Sequence, residues 1–311
     1  MISKKYLVLV MAVVLMTSVA QPVEHISAQR KEIKITKTTF PDAMFRDFIH
    51  RKVDKDKNGK LSWSERKSVI KIKDASGYRN VFRGTMSERK EKHSLEGIKY
   101  FPELRQVNIQ NVCVSKIDFS QNLKLEKVHL YATKTVHINL RKNKNLVKFY
   151  CMQGTEESRK YVLKKFDFTN NTKLKSLDIE IVPETRKLDF STLTDLERLN
   201  IAILCGYKGN IKQLDLSNNR KLKGICCPYL GLEKLDLSNC LDIEYIQCRK
   251  NKLKELKLPS WATLKFLNCY GNNIKQLDLS GVKFLNENDY YESRRLIKDK
   301  KTTIIREISK E

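Results

Sequence analysis

The hydrophobic positions of the sequence recur at a nearly regular interval from Leu104 onward. Each repeat has a first apolar residue, a second three residues later and a third five residues later, with mostly polar residues between them. The last two positions alternate with polar ones, which predicts a short strand with one buried face. Eight repeats follow one another at intervals of 21 to 28 residues, beginning at Leu104, Leu125, Leu146, Leu174, Leu196, Leu222, Ile243 and Leu264.

A second apolar pair lies in each repeat, in a segment of the form Leu-Asp-Leu-Ser. Its five recognisable occurrences are at 117–120, 188–191, 214–217, 235–238 and 277–280. The longer intervals indicate loop insertions at 154–161, around Pro183 and at 206–210. Because each repeat carries two apolar rows, stacked repeats are predicted to enclose one continuous core.

The clearest copies, at 243–253 and 264–274, read Leu-x-x-Leu-x-Cys-x-x-Asn-x-Leu with Ile in some Leu positions. This pattern resembles the leucine-rich repeat, in the short form of secreted and surface proteins of Gram-positive bacteria of the internalin-like kind. The resemblance implies a right-handed solenoid whose parallel strands form one face. Its Asn is expected to bond backbone groups where the chain leaves the strand, although Thr133, Gly154 and Leu230 are among the residues that replace it in other repeats.

Four of the eight cysteines occupy the third apolar position, where other repeats have Ile or Leu. They are Cys151, Cys227, Cys248 and Cys269. We therefore predict that they are small buried hydrophobes with free thiols rather than metal ligands or nucleophiles. The other four, Cys113, Cys205, Cys226 and Cys240, allow one disulfide, and their spacing selects no pair.

Residues 54–65 match the twelve-residue calcium loop of an EF-hand at every constrained position. Oxygen ligands are expected from the side chains of Asp54, Asp56 and Asn58, the carbonyl of Lys60, Ser62 directly or through water, and both carboxylate oxygens of Glu65. Three lysines lie within the loop and no second loop follows, so we expect weak binding, with a dissociation constant of about 10⁻⁴–10⁻³ M. A loop that keeps this shape without an ion is the alternative.

Apolar residues on either side of the loop predict a short helix before it, from about Asp42 to Ile49, and an exit helix from Trp63 to Ile72. The module resembles the single EF-hand that precedes such repeats in these bacterial proteins. That resemblance implies a structural role for calcium, in a cap that covers the first coil. The predicted fold class is α+β: a leucine-rich-repeat solenoid at 95–281, preceded by a linker at 21–39 and a small helical EF-hand-like cap at 40–94.

The two ends of the chain differ from the repeats. Two lysines, an apolar run and small residues up to Ala20 predict a signal peptide at 1–20, and hence a secreted protein. An uncut membrane anchor is the alternative. The polar segment 282–311 is predicted either to cap the last coil with a strand or short helix or to be disordered. We expect no transmembrane span and no covalent anchor, so the protein would be extracellular, with non-covalent association at a cell surface.

The charge of the chain favours anionic partners. Its 311 residues contain 61 Lys and Arg against 36 Asp and Glu, a net charge of +25. The excess is densest before the repeats, where residues 21–99 hold 20 basic and 11 acidic side chains. An envelope-associated protein held by an anionic wall polymer or nucleic acid is therefore one functional hypothesis.

Recognition through the sheet surface is the leading hypothesis. Five of the 24 outward positions of the predicted strands are aromatic, which is typical of a contact surface. The candidate partner-binding residues are Lys127, His129, Tyr131, Lys148 and Tyr150 in one patch, and Tyr245, Arg249, Phe266 and Tyr270 in another. No arrangement of nucleophile, base and stabilising group is recognisable. The sequence thus predicts a monomeric, non-enzymatic binding protein for a protein or glycan.

Overall fold

The computed structural model describes residues 30–74, 91–153, 163, 166–203, 206–284 and 296–306. The predicted signal peptide at 1–20, the insertion at 154–161 and Cys205 lie outside the described residues. No helix of the described part has both the length and the apolar character needed to cross a membrane.

Ten parallel strands form the main sheet, and neighbouring strands come from successive coils of the chain. In sheet order they are β3 (Lys71–Asp74), β4 (Gln106–Gln110), β6 (Lys127–Tyr131), β8 (Lys148–Met152), β9 (Ser176–Ile181), β10 (Arg198–Ile203), β11 (Gly224–Cys226), β13 (Tyr245–Gln247), β16 (Phe266–Asn268) and β19 (Leu296–Ile297). Eight of them are the strands that the repeat pattern predicts. The pattern did not predict β3.

The strand register aligns equivalent positions of successive repeats. Val107 pairs with Val128 and Val128 with Phe149, and all three side chains are buried. The first apolar residue of every repeat is also buried, from Leu104 to Leu264. Burial of the same positions in each coil gives one continuous core, as the sequence predicted.

Short strand pairs form the second apolar row. They are β5 (Lys116–Asp118) with β7 (His137–Asn139), β12 (Lys234–Asp236) with β14 (Glu255–Lys257), and β17 (Gln276–Asp278) with β20 (Thr303–Ile305). A further pair, β15 (Thr263–Leu264) with β18 (Lys283–Phe284), lies at the start of the last repeat. At the turn that follows, an Asp carboxylate accepts the backbone N–H two residues on, as Asp215 does from Ser217 at 3.1 Å. The same contact recurs at Asp118, Asp189, Asp236 and Asp278. These carboxylates therefore close turns.

Buried asparagines join several coils to the one before. Asn251 donates from Nδ2 to the carbonyls of Cys227 and Cys248, each at 2.9 Å, which confirms the predicted role of the repeat Asn. A second ladder on the other side of the coils was not predicted. It consists of Asn122, Asn143, Asn171 and Asn219, each of which donates to two backbone carbonyls. Because buried carbonyls need partners, both ladders fix the spacing of the coils.

The four cysteines of the repeat row are buried in the core, as predicted, and all seven described cysteines have free thiols. Burial raises the pKa of Cys151 to about 12 and that of Cys269 to about 11. These thiols are protonated at neutral pH and pack as hydrophobes. Cys240 occupies the position that Asn219 has in the previous coil, where its thiol lies 4.0 Å from the carbonyl oxygen of Leu216.

The segment before the repeats consists of β1 (Ile33–Lys34), helix α1 (Ala43–Lys52), β2 (Lys60–Leu61) and helix α2 (Trp63–Ser68). The predicted exit helix is shorter than expected. It ends at Ser68, and the apolar residues assigned to its end lead into β3, where Ile72 pairs with Val107. The extended conformation is favoured here because it buries Ile72 completely on the main sheet.

Aromatic packing joins this segment to the first coil. Phe40 contacts Phe45 of α1 and stacks on Phe101, with ring centroids 5.9 Å and 6.3 Å apart, respectively. Gly97 has φ +101°, and a Cβ there would lie 2.4 Å from the Phe40 ring, so glycine alone fits. A 3₁₀ turn at Ile98–Tyr100 then leads into the first repeat.

At the other end, β19 and β20 add a last, short coil against β16 and β17. The carboxylate of Asp299 accepts the backbone N–H groups of Gly271 and Asn272, at 3.1 Å and 2.9 Å. Strands thus cover the apolar end of the solenoid, where the sequence left a strand, a short helix or disorder open.

Candidate functional site

The loop between α1 and α2 brings three carboxylates together. One carboxylate oxygen each from Asp54, Asp56 and Glu65 lies within 4.8 Å of the other two. Asp54 is 4% exposed and Glu65 is 7% exposed. Carboxylates repel one another at such distances, so a bound cation would relieve the repulsion.

Hydrogen bonds within the loop preset this arrangement. Asp54 accepts the backbone N–H groups of Asn58 and Gly59 at 3.2 Å and 3.0 Å, and the side chain of Asn58 accepts that of Lys60 at 2.8 Å. Gly59 has φ +76° and no atom near its missing side chain, so the backbone conformation, not space, requires glycine. The loop therefore has a fixed shape in which the carboxylate oxygens of Asp54, Asp56 and Glu65 lie close together.

Glu65 ties both ends of the loop together. Its carboxylate accepts the backbone N–H of Lys55 at 2.7 Å and that of Ser62 at 2.8 Å. Burial raises the pKa of Glu65, but these hydrogen bonds, with one from the Ser62 hydroxyl, outweigh it and hold the pKa below its ordinary value. The Ser62 hydroxyl contacts Glu65 and also accepts the Glu65 N–H, so Ser62 positions Glu65 at the start of α2.

The donor set fits calcium, because side-chain oxygens, several of them charged, line one loop. The ammonium group of Lys60 lies 3.1 Å from Glu32, outside the loop, and so does not occupy the place of a cation. The strand β2 within the loop pairs with β1, and Gly59 accepts a hydrogen bond from Ile35 at 2.9 Å. This chain thus supports its single loop with its own preceding strand.

The first predicted sheet patch lies on β6 and β8. The register pairs Lys127 with Lys148 and His129 with Tyr150, and Tyr131 follows on β6 beside Met152. The rings of His129 and Tyr150 are parallel, with centroids 4.2 Å apart. The structure therefore brings together the five residues of this patch.

The two stacked rings of this patch carry no charge at neutral pH. Burial lowers the pKa of His129, although the nearby Asp178 carboxylate opposes the shift. Burial, with the neighbouring Tyr131 and Asp178, raises the pKa of Tyr150. His129 and Tyr150 are both uncharged at pH 7, so a stacked neutral pair lies two residues along the strands from the pair of lysines.

The second predicted patch is only partly brought together. Tyr245 pairs with Phe266 on neighbouring strands, and Tyr245 is 51% exposed. Arg249 lies elsewhere, with its guanidinium 5.7 Å from the ring centre of Tyr229, a residue that was not predicted. Tyr270 instead receives the ammonium group of Lys250 at 4.9 Å from its ring centre. Tyr229 lies in a turn with φ +62°, where strand periodicity gives no signal.

A groove of about 520 Å³ opens on the sheet between the two patches. Tyr245 and Phe266 line one end, and Gly224 and Cys226 line its floor. Its other end carries polar groups of Asp178, Arg198 and Asn200, with the Asn200 amide donating to Asp178 at 3.3 Å. The outward Gly224 was the sequence signal for this hollow, because an absent side chain leaves space beside Tyr245.

Two outward positions are buried instead, contrary to the alternation. Met152 and Glu180 are 9% and 6% exposed, respectively. The Glu180 carboxylate accepts the backbone N–H of Gln153, which leaves the strand row at this point. Gln153, directly after β8, therefore bonds to the outward side of β9, and strict alternation of exposed and buried positions fails there.

The parallel coils, the two-row core and the Asn ladders define a leucine-rich-repeat solenoid. A scan of protein-family models and a search of curated proteins find no match to the sequence. Solved structures of similar shape include the functional domain of InlJ from Listeria monocytogenes, which includes a cysteine ladder. The two chains are 16% identical, and the match covers 82% of this chain and 71% of that chain with a TM-score of 0.42.

Two further solved structures have a similar shape. Internalin C2 of Listeria monocytogenes has 10% identity, with 89% of this chain and 97% of that chain covered and a TM-score of 0.47. A leucine-rich-repeat protein of Leptospira interrogans has 15% identity, with 71% and 74% covered and a TM-score of 0.39. The assignment of the fold rests on the strand register and buried repeat positions of this chain.

Proposed function

We propose that this is a secreted, non-enzymatic binding protein whose main sheet recognises a protein or glycan at a cell surface. The groove beside Tyr245 carries the proposal. An aromatic ring half exposed to solvent on a strand is available to a ligand, and it adjoins a hollow with polar groups at the opposite end. That combination gives a ligand both an apolar contact and directional hydrogen bonds.

A binding role also agrees with the chemistry of the other side chains. The described thiols of the repeat row are buried and protonated, so they are poor nucleophiles. Within the described residues, the acidic loop at 54–65 is the one group of His, Cys, Asp and Glu side chains whose ligand atoms converge. The oxygen atoms of that loop suit a bound cation, so the proposal assigns the loop to binding and not to catalysis.

Calcium in the loop would have a structural role in this proposal. Asp54, Asp56, Asn58 and Glu65 would hold it through side-chain oxygens, with the Lys60 carbonyl and Ser62, directly or through water, completing the set. The ion would supply positive charge to three clustered carboxylates. Helix α1 ends just before the loop and α2 begins within it. That charge would therefore fix the positions of both helices next to the first coil.

A second candidate function is retention by an anionic polymer, such as wall polymer or nucleic acid. The net charge of +25 favours it. Such binding depends on salt because released counterions drive it. Salt therefore separates this function from recognition by the sheet groove.

The experiment is retention of the mature chain on cells and isolated cell-surface fractions, at low and high salt. We expect retention that persists at high salt and is lost in the double variant Tyr245→Ala, Phe266→Ala. The matched control is Tyr207→Ala, which changes a tyrosine in an irregular segment outside the sheet strands. Retention that disappears with salt and is the same in both variants would overturn the groove proposal in favour of the charged polymer.

A further inference from the structure

Two large apolar side chains project from the turns that lead into the last repeat strands. Trp261 is 75% exposed and Leu241 is 67% exposed, the highest values among the exposed large hydrophobic side chains of the described residues. Both belong to the edge of the sheet, not to its binding face, because they precede β16 and β13, respectively. Core packing does not account for a tryptophan in this position.

The backbone at Trp261 is unfavourable for tryptophan. Its φ is +69°, in the left-handed region that a bulky side chain rarely adopts. The next coil has Gly281 at the equivalent place, with φ +71°, since Thr263 pairs with Lys283 in the register. Glycine satisfies this turn without strain, so the ring of Trp261 is present at a conformational cost.

An open groove of about 370 Å³ lies beside the ring. Its polar lining comes from Lys223, Asp242, Glu244 and Thr263. Glu244 is engaged by Lys265 at 2.7 Å, and Lys223 lies 3.7 Å from Glu197. The exposed carboxylate of Asp242 forms no hydrogen bond or ion pair with the described residues. An aromatic surface thus stands next to an unengaged acceptor, a hydroxyl and an ammonium group.

We propose that this edge groove binds a hexose ring of a neutral carbohydrate. A pyranose ring has one face of C–H groups, which packs on an indole, and a rim of hydroxyls. Asp242 would accept from those hydroxyls, and Lys223 and Thr263 would donate to them. The carboxylate of Asp242, which has no ion-pair partner among the described residues, disfavours an anionic sugar or an anionic membrane surface.

A protein anchor fits this groove less well. Binding energy at protein interfaces concentrates on side chains that enter closed, fully desolvated pockets. Here the ring stands out from a turn, and Leu241 is the one large apolar side chain that lines the groove with it, apart from the buried Ile243. The surroundings are polar and open, as suits a ligand with many hydroxyl groups.

The edge groove continues into the groove on the sheet, because Lys223 and Glu244 line both. One oligosaccharide could therefore contact Tyr245 on the sheet and Trp261 at the edge. In this respect the inference rests on the proposed function and narrows its ligand to a glycan. The hexose site at Trp261 itself requires only the edge residues.

The test uses the intrinsic fluorescence of Trp261. The chain has two tryptophans, so Trp63→Phe leaves Trp261 as the single reporter. The probes are neutral hexasaccharides of glucose, galactose, mannose and N-acetylglucosamine, titrated into the full mature chain. We expect a saturable change of emission with at least one of them. No change with any of the four would overturn the proposal, as would a change that free monovalent salt abolishes.

Variants separate binding from folding. We expect Trp261→Gly to lower affinity for the active hexasaccharide by at least about tenfold in calorimetry while the melting temperature stays level or rises, because glycine fits the left-handed turn. Asp242→Asn should lower affinity with the fold intact. Leu123→Ala is the matched control, since Leu123 is also exposed and takes the place of Leu241 in an earlier coil. Unchanged affinity in Trp261→Gly would contradict the assignment.

The same titration distinguishes the two proposals. If Tyr245→Ala with Phe266→Ala abolishes retention on cells but leaves the fluorescence response of Trp261, both sites exist. If cell retention requires Trp261 while no hexasaccharide binds, the edge contacts a protein, and the carbohydrate proposal is wrong. If hexasaccharide binds at Trp261 but the sheet variant retains full cell binding, the sheet proposal fails and the edge site stands.

Discussion

The loop at 54–65 and the turns of the repeats both use Asp and Asn oxygens and amides, but they use them differently. In the coils, Asp215 closes its own turn, and Asn143 joins its coil to the previous one at 2.8 and 3.1 Å. In the loop, Asp54, Asp56 and Glu65 also face one another. The polar groups of the coils find hydrogen-bond partners within the chain, whereas the loop brings three negative charges together. We therefore expect the stability of the segment before the repeats, residues 40–74, to depend on a cation and that of the coils not to.

The largest effect is expected from breaking a coil at Asn143. Asn143→Ala removes two hydrogen bonds, to the buried carbonyls of Phe119 and Asn122, each of which keeps one backbone N–H donor. The amide oxygen of Asn143 makes no hydrogen bond with the described residues, which reduces the loss. We predict a fall of about 2–3 kcal/mol in the free energy of unfolding, measured with urea, and the same fall with calcium or chelator. An exposed control, Asn145→Ala, should change it by less than about 0.5 kcal/mol.

The next effect tests the loop. We predict that saturating calcium stabilises the chain by about 1–3 kcal/mol, the range expected when the ion is at ten to a hundred times its dissociation constant. Glu65→Gln should abolish the increment, because Glu65 is both a ligand and the tie to Lys55 and Ser62. Asp47→Asn, an exposed carboxylate on α1 outside the loop, should preserve it. An equal calcium increment in all three proteins would show that the ion binds elsewhere.

Trp63 gives a second reading of the same event. It lies within the loop, at the start of α2 and two residues before Glu65, with Arg66 5.1 Å from its ring centre. In a Trp261→Phe background, its emission should change with calcium and follow the stability increment. A response that persists in Glu65→Gln would separate the fluorescence change from the loop.

A smaller effect would come from improving a coil. Cys240 replaces the ladder Asn and offers only a 4.0 Å contact from its thiol to Leu216. Cys240→Asn should restore the amide donor, with a gain of up to about 1 kcal/mol in urea unfolding. The gain should be absent in Cys240→Ser, which places a shorter group there. A loss in Cys240→Asn would mean that the coils at this point have adjusted to the thiol.

The smallest effect concerns pH. Hydrogen bonds from Ser217 and Ser191 lower the pKa of Asp215 and Asp189 below the ordinary value. A lowered folded-state pKa means that the contribution is present above the unfolded pKa and is lost as pH falls through the folded one, so the coils should weaken below about pH 4. Asp215→Asn should keep the turn without this pH dependence, since Asn139 makes the same contact with Arg141 at 3.3 Å. Unchanged acid sensitivity in the variant would exclude Asp215 as its source.

Repeat periodicity predicted most of the coil, because the same residue type recurs wherever the same buried position recurs. The eight strands and the buried positions of Cys151, Cys227, Cys248 and Cys269 all follow from this rule. Repeat periodicity did not predict the ladder that includes Asn122, because the asparagines of this ladder lie next to polar residues in turns. The Asp turns, in contrast, carried a visible Leu-Asp-Leu-Ser pattern.

Features set by contacts distant in the sequence were harder to predict. The apolar residues around Ile72 suit a helix or a strand by pattern, and pairing with β4, more than thirty residues later, selects the strand. The placement of Arg249 on Tyr229 and the exposure of Trp261 depend on left-handed turns. Such turns in non-glycine residues leave no periodic signal.

This comparison also bears on binding. The groove at Tyr245 lies on β13, six strands away from β4 and seven from β3 in the sheet. Because coils contact mainly their neighbours, loosening the N-terminal segment should have little effect at that distance. Chelation of calcium is thus expected to lower stability more than it lowers retention through the groove.

Hydrogen exchange of the mature chain, with calcium and with chelator, tests the central contrast most directly. We predict that calcium slows exchange at residues 40–74, through the loop, both helices and β3, and leaves strands β9 to β16 unchanged. Equal slowing along all coils would contradict the account, since it would make the whole solenoid depend on the ion. No slowing at the loop would show that its carboxylates keep their arrangement without a cation.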